Sequence, residues 1–279
     1  MTSSRAMDAS GRITERVGRL PEKNNSLEIL VVSDRSALAR AAAERFVVLV
    51  KRAIAARGRF SVALSGGSTP RDLYVCLSTP EFASQIDWTR VQIFWGDERA
   101  VPPDSPESNY RMVHDTLLSH VNPPAENVHR ILAEKAPADA ARAYEETLRS
   151  ILPRQIVPAT PNQASAEYPR FDLVLLGLGA NGHTASLFPK TRVLHETTRW
   201  VAAEYIEEVK MNRITLTAPA INAAENILFL VAGSDKAATV RAVLYGEFRP
   251  EELPAQLIKP TNGQVVWLLD HEAASQLSA

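Results

Sequence analysis

Cysteine is nearly absent from this chain: Cys76 stands alone among 279 residues. A single thiol forms no internal disulfide and builds no cysteine-type zinc site. Set beside Leu73, Tyr74 and Leu77 in a stretch that reads as helix, it is expected to be a small core side chain. The lack of disulfides fits a reducing compartment and so the cytoplasm. An excess of one charge is missing too. The formal net charge is -1, so nothing in the balance calls for nucleic acid or an anionic membrane. Net charge averages over the whole surface, however, and leaves room for a local cationic pocket. No apolar run approaches the ~20 residues that a membrane helix needs. Residues 1–26 are polar, mixed in charge and without the apolar stretch of a secretory signal. They are expected to form a poorly ordered leader, with one α/β domain over 27–279.

What is present is an alternation of short apolar runs and helical patterns. Residues 27–32 read as a strand, and Ser33 as the cap of a helix over 34–57 that Gly58 ends. Residues 60–64 read as a buried strand, followed by Ser65-Gly-Gly-Ser-Thr69. Pro70 suits the first position of the next helix, with Thr69 as its cap. A strand over 91–95 runs into Gly96-Asp-Glu-Arg99. Helices follow at about 108–119 and 138–152, then a polar, proline-containing surface loop over 153–170. A strongly apolar strand at 171–176 precedes a turn and short helix. A strand at 227–231, a helix at 235–245 and a strand at 265–269 complete the pattern. Such alternation implies a mostly parallel, Rossmann-like sheet with helices on both faces. Sheets of this kind bind ligands at the carboxyl ends of their strands. Four loops carrying Ser65 to Thr69, Asp97 to Arg99, Asn181 to His183 and Gly233 to Lys236 are therefore expected along one edge.

Each loop has a chemical reading and a plainer one. Gly66 and Gly67 allow close approach of a ligand to the backbone. Ser65, Ser68 and Thr69 add donors, and a helix start attracts anions. A phosphate site is natural there, and so is an ordinary capped turn. No Gly-Lys-Ser/Thr follows, so the loop is no nucleotide P-loop. Gly177, Gly179 and Gly182 match dinucleotide-fingerprint spacing, but no second βαβ half with a ribose-binding acid accompanies them. His183, expected at a helix start, would be held neutral and able to take a proton. A histidine can equally cap or pack. Asp97, Glu98 and Arg99 suit either anion recognition or a local ion-pair network. Arg213 and Lys236 are further cations beside expected strand ends, and either alone reads as a solvated charge. His183, Asp97 and Glu98 match no zinc spacing, so no metal is expected.

At these residues the chain resembles the 6-phosphogluconolactonase family. The matching stretches are Leu64-Ser-Gly-Gly-Ser-Thr-Pro70, Trp95-Gly-Asp-Glu-Arg-Ala-Val-Pro102, Ser108-Asn-Tyr110 and Gly177-Leu-Gly-Ala-Asn-Gly-His-Thr-Ala-Ser-Leu-Phe-Pro189. Arg213-Ile-Thr-Leu-Thr217 and Gly233-Ser-Asp-Lys-Ala237 follow in family order. The resemblance implies a fold shared with glucosamine-6-phosphate deaminases and ribose-5-phosphate isomerases. It implies hydrolysis of 6-phospho-D-glucono-1,5-lactone to 6-phosphogluconate, with no cofactor and with the sugar-phosphate lactone as the partner. No membrane or nucleic acid is implied, and the chain is expected to be a monomer or weak homo-oligomer. By resemblance, His183 is the base. The Ser65–Thr69 loop, Arg99, Arg213 and Lys236 handle the substrate, with Asp97, Asn181 and Gly182 in support. One position departs from the pattern: the family often has an acid where this chain has Asn181. The related deaminases have acids at the positions of Asn181 and Phe188, and both are missing here.

Overall fold

The computed structural model describes residues 4–7, 13–19, 26–157, 166–260 and 262–277. Thirteen strands occur among them: β1 (Ser4–Met7), β2 (Ile13–Arg19), β3 (Ser26–Val32), β4 (Phe60–Leu64), β5 (Val91–Trp95), β6 (Asp97–Arg99), β7 (Arg154–Val157), β8 (Ala166–Pro169), β9 (Leu173–Leu176), β10 (Val201–Ile206), β11 (Met211–Leu216), β12 (Asn226–Val231) and β13 (Gln264–Asp270). Eight form the main sheet, in the order β1-β2-β3-β13-β12-β9-β4-β5. The six strands from β3 to β5 run parallel. Every residue of β4 and β9 is buried, which requires cover on both faces of the sheet. The chain reverses its winding between β4, whose crossover leads outward to β5, and β9, whose crossover leads the other way to β12. That switch point opens a crevice at the carboxyl ends of the strands.

Helices form where the sequence pattern calls for them. The helix Arg35–Arg57 buries Leu38, Ala42, Phe46, Val50 and Ala53, an i, i+4 stripe, and ends at Gly58 in the left-handed conformation. Its cap is Asp34, not Ser33: the Asp34 carboxylate accepts from the Ala37 N–H at 2.8 Å. A carboxylate there also favours the positive end of the helix dipole. Cys76 is half-buried against the core rather than inside it. Among the described residues no helix is long and apolar enough to cross a membrane.

Three expectations need correction. The 1–26 leader is not all loose chain: β1 and β2 pair as a hairpin, and β2 lies antiparallel to β3. Without it β3 would be a bare sheet edge. The rest of 1–26 lies outside the described residues. The loop at 153–170 contributes the antiparallel pair β7 and β8, with 158–165 outside the described residues. The segment after β9 forms no helix. It is a run of turns with Gly182 and the non-glycine residues Ala185 and Lys190 at positive φ.

Two tyrosines hold the strand ends that launch the loops. The Tyr74 hydroxyl receives the Ser65 N–H at 2.9 Å and donates to the Ser65 carbonyl at 2.8 Å. The Tyr144 hydroxyl does the same at Trp95, at 2.8 and 3.0 Å. Each phenol closes both polar groups of a backbone unit that has left its sheet ladder, where an orphan would be costly. Burial pushes both phenol pKa values well above the ordinary range, so neither ionises. Tyr144→Phe should cost about 1–3 kcal/mol, because it leaves a buried N–H and C=O unpaired. Urea denaturation would show the fall in midpoint, and an unchanged midpoint would contradict the clamp.

Candidate active site

The loops after β4, β5, β9 and β12 border one cavity of about 380 Å³. Ser65, Gly66, Gly67, Ser68, Thr69, Asp97, Arg99, His183, Arg213 and Lys236 all line it. Asn181 and Gly182 do not; they stand behind the His183 loop. At the β4 end the helix Ser68–Ser78 starts from Gly67 at φ +99 and has no side-chain cap. Thr69 therefore lies inside the first turn instead of capping it. The first N–H groups are left without a side-chain partner, which suits an anion. Gly66 admits no side chain, since a Cβ would sit 2.0 Å from Asn109 Oδ1. Asn109 in turn donates to the Asp97 carbonyl at 2.9 Å and so ties the loop to β6.

Strand β6 belongs to a second sheet, order β10-β11-β6, that the sequence pattern did not suggest. Its register sets Asp97 opposite Thr215, Glu98 opposite Ile214 and Arg99 opposite Arg213. Alternation along the strand puts Asp97 and Arg99 on one face and Glu98 on the other. Glu98 is thus buried away from the cavity. It accepts from the backbone N–H groups of Arg99, Asn109 and Tyr110 and from Ser108 Oγ, holding the loop between β6 and the helix Asn109–Val113. Burial raises its pKa, and those backbone donors oppose the rise. Asp97 faces the cavity and accepts from Ser186 Oγ at 2.6 Å.

Arg213 lies in the middle of β11 rather than beside a strand end. It and Arg99 are like charges set directly across two strands, an arrangement that costs stability. Burial depresses the Arg213 pKa and the neighbouring Arg99 depresses it further, while Asp97, Glu98 and Glu107 pull the other way. Both Nε atoms are buried without a hydrogen-bond partner. Among the described residues neither guanidinium forms an ion pair, although Arg99 also donates to the Glu107 carbonyl. Two half-buried guanidinium groups with free donors suit an anion such as phosphate or carboxylate. Lys236, in the turn Ser234–Lys236, adds a third cation, shared with Asp235 at 3.0 Å.

His183 lines the same cavity from the loop after β9. Its ring stacks on Phe188 with centroids 4.0 Å apart. Gly182 takes φ +82, and the turn closes through Gly179 N–H to the His183 carbonyl at 2.8 Å. A Cβ on Gly179 would meet His183 Nδ1 at 2.0 Å, so only glycine leaves room for this ring. Nδ1 lies 2.6 Å from Asn181 Oδ1. An amide oxygen only accepts, so Nδ1 carries the proton and Nε2 keeps its lone pair. Burial lowers the imidazole pKa to about 4, against the pull of Asp97 and Glu208 and with the push of Arg213 and Lys236. The neutral base thus follows from burial beside Phe188, not from a helix dipole, because no helix begins here.

The chain matches the family model described as glucosamine-6-phosphate isomerases/6-phosphogluconolactonase over residues 33–267. It belongs to that family. It is similar to the 6-phosphogluconolactonase of Nostoc sp., at 37% identity over 249 residues, 89% of this chain and 97% of the relative. The solved 6-phosphogluconolactonase of Trypanosoma brucei superposes with a TM-score of 0.80 at 30% identity, covering 94% of this chain and 100% of that one. A monomeric glucosamine-6-phosphate deaminase, at 21% identity and a TM-score of 0.72 over 89% of this chain and 99% of its own, shares the fold.

Within this glucosamine-6-phosphate isomerase/6-phosphogluconolactonase framework, several cavity residues were not legible in the sequence. Glu208 and Ser186 line the cavity, and Asn109 braces its floor. Ser186 and Asn109 lie inside stretches that carry the resemblance but had no role of their own, and Glu208 lies in none; long-range contacts mark all three. Two measurements test the site. A nitrogen-15 titration of His183 should show the Nδ1–H tautomer and a midpoint near 4. A midpoint near the ordinary value of 6.5 would overturn its burial. With the sign worked through, the unfolded chain takes up a proton that folded His183 refuses, so this group makes stability fall as pH drops from 6.5 towards 4. Arg213→Met should stabilise the unliganded protein by about 1 kcal/mol through relief of the like-charge pair. The same change should abolish the rise in melting midpoint on adding 6-phosphogluconate. A lowered midpoint would show Arg213 to be structural instead.

Proposed function

We propose that this chain hydrolyses 6-phospho-D-glucono-1,5-lactone to 6-phosphogluconate, with His183 as general base. The observation that carries the reading is one cavity that gathers both kinds of group. One is a neutral imidazole whose Nδ1 proton is held by Asn181. The others are an uncapped helix start and two arginines whose Nε atoms have no partner. The similar proteins from Nostoc and Trypanosoma brucei are 6-phosphogluconolactonases, which supports the same reaction.

In this reading the lactone phosphate docks on the cationic wall, at the Ser65–Thr69 loop with Arg213 and Lys236. Water between His183 Nε2 and the lactone C1 gives a proton to Nε2 as its oxygen bonds to C1. The carbonyl oxygen becomes an oxyanion facing Arg99 or backbone N–H groups. The bond between C1 and the ring oxygen then breaks, and the imidazolium returns its proton to that oxygen. The product is the open acid, which ionises. Asp97, half of whose carboxylate is taken by Ser186, is placed to accept a sugar hydroxyl. A lone half-buried thiol suits a reducing compartment such as the cytoplasm. Deamination fits less well: Phe188 stacks on His183 where the deaminases have an acid.

The decisive assay follows lactone opening at mildly acidic pH, where spontaneous hydrolysis is slow. His183→Ala should lose about 10²- to 10⁴-fold in kcat, the usual share of a general base. Binding of 6-phosphogluconate should persist. Unphosphorylated gluconolactone should be a far poorer substrate through its KM. Wild-type turnover by the variant would remove His183 from the mechanism.

A further inference from the structure

Asn181 is where this chain departs from its family's usual acid, and its environment shows what replaces the lost charge. The Asn181 amide oxygen accepts from His183 Nδ1 at 2.6 Å and from the His183 backbone N–H at 3.1 Å. The amide nitrogen donates to both carboxylate oxygens of Glu208, at 3.0 and 2.8 Å. Glu208 comes from the turn Glu207–Val209 between β10 and β11, 27 residues along the chain. The amide thus lies in line between an imidazole and a carboxylate.

We propose that Glu208 is a positioning residue for the base, acting on His183 through the Asn181 amide and supplying from the β10–β11 turn the negative charge that position 181 lacks. The proposal rests on His183 being the base. A carboxylate offers only acceptors, so it binds the amide through its N–H groups and draws electron density towards Oδ1. Oδ1 becomes a better acceptor as His183 takes a proton and its Nδ1–H strengthens as a donor. The His183 backbone N–H already points the amide oxygen inward. What Glu208 adds beyond orientation is therefore its charge. Glu208 is exposed at the cavity rim, so water screens that charge and the effect is modest. The other charged groups that act on His183 are Asp97, Arg213 and Lys236, and the changes below leave all three in place.

The plainer role for Glu208 is to tack the β10–β11 turn onto the 179–183 loop. Glu208→Gln separates the two, because it keeps one acceptor oxygen for the Asn181 amide while it removes the charge along with the second acceptor. In the full-length enzyme, E208Q should lower kcat about fivefold, equivalent to ~1 kcal/mol. Its KM for the lactone should not rise and its melting midpoint should hold. The His183 titration midpoint should fall below that of the wild type. Asn181→Asp in the E208Q background puts a carboxylate directly on the imidazole and should restore kcat. N181D alone sets two carboxylates in contact and should lower the melting midpoint without raising kcat. Wild-type kcat in E208Q, or failure of N181D to restore it, overturns the relay. If H183A is inactive while E208Q is fully active, only the relay falls. If H183A retains turnover, the base assignment falls with it.

Discussion

Strands β4 and β9 share two register pairs, Val62 with Leu173 and Ala63 with Val174, and the geometry of the site depends on that short contact. Just before β9, the Asp172 carboxylate accepts from both the N–H and the hydroxyl of Ser61, at 2.7 and 2.9 Å. The Ser61 hydroxyl and carbonyl receive the Asp172 N–H in return. This knot locks the register. A slip of one residue would turn each buried side chain to the opposite face and carry the Ser65 loop away from His183. At the other end of β4, the Tyr74 hydroxyl fixes Ser65. β4 is thus held at both ends and β9 at its start, and the loops that leave the two strands line one cavity.

The cavity gathers cationic groups with unsatisfied donors. Arg99 and Arg213 oppose each other with unpartnered Nε atoms, and the helix Ser68–Ser78 begins uncapped. Across from them the imidazole is kept neutral by burial rather than by a counter-charge. Protonation there is costly until an anionic substrate adds negative charge nearby. In the proposed reaction, binding and base strength would be coupled: a bound phosphate would offset the cations that add to the effect of burial on His183. Stability spent on the arginine pair is recovered as affinity for an anion.

The strands β4 and β5 were readable to the residue, because each is a short, mainly apolar run with an arginine before it and a serine or glycine after it. The helix ending at Gly58 was equally clear. The loops after the strands were located correctly, but their internal form was not. Thr69 looked like a cap because Pro70 follows it, yet Gly67 at positive φ starts the helix one residue before Ser68. His183 looked like a helix start, yet Gly182 and Ala185 in the left-handed region break the helical path. The β10-β11-β6 sheet escaped notice because three-residue β6 carries no pattern and its partner lies more than a hundred residues away.

Local sequence therefore settled the six parallel strands of the main sheet, the helix that ends at Gly58 and which four loops share an edge, since apolar periodicity, glycine and proline act over a few neighbouring residues. It also marked His183, Arg99 and Lys236 as the chemically capable side chains on those loops. Folding decided the rest through contacts between distant segments. The pairing of β6 with β11 brought Arg213 opposite Arg99. The stacking of Phe188 set the protonation of His183. The β10–β11 turn brought Glu208 to the amide of Asn181. Each of these depends on strand register and packing, which no local pattern encodes.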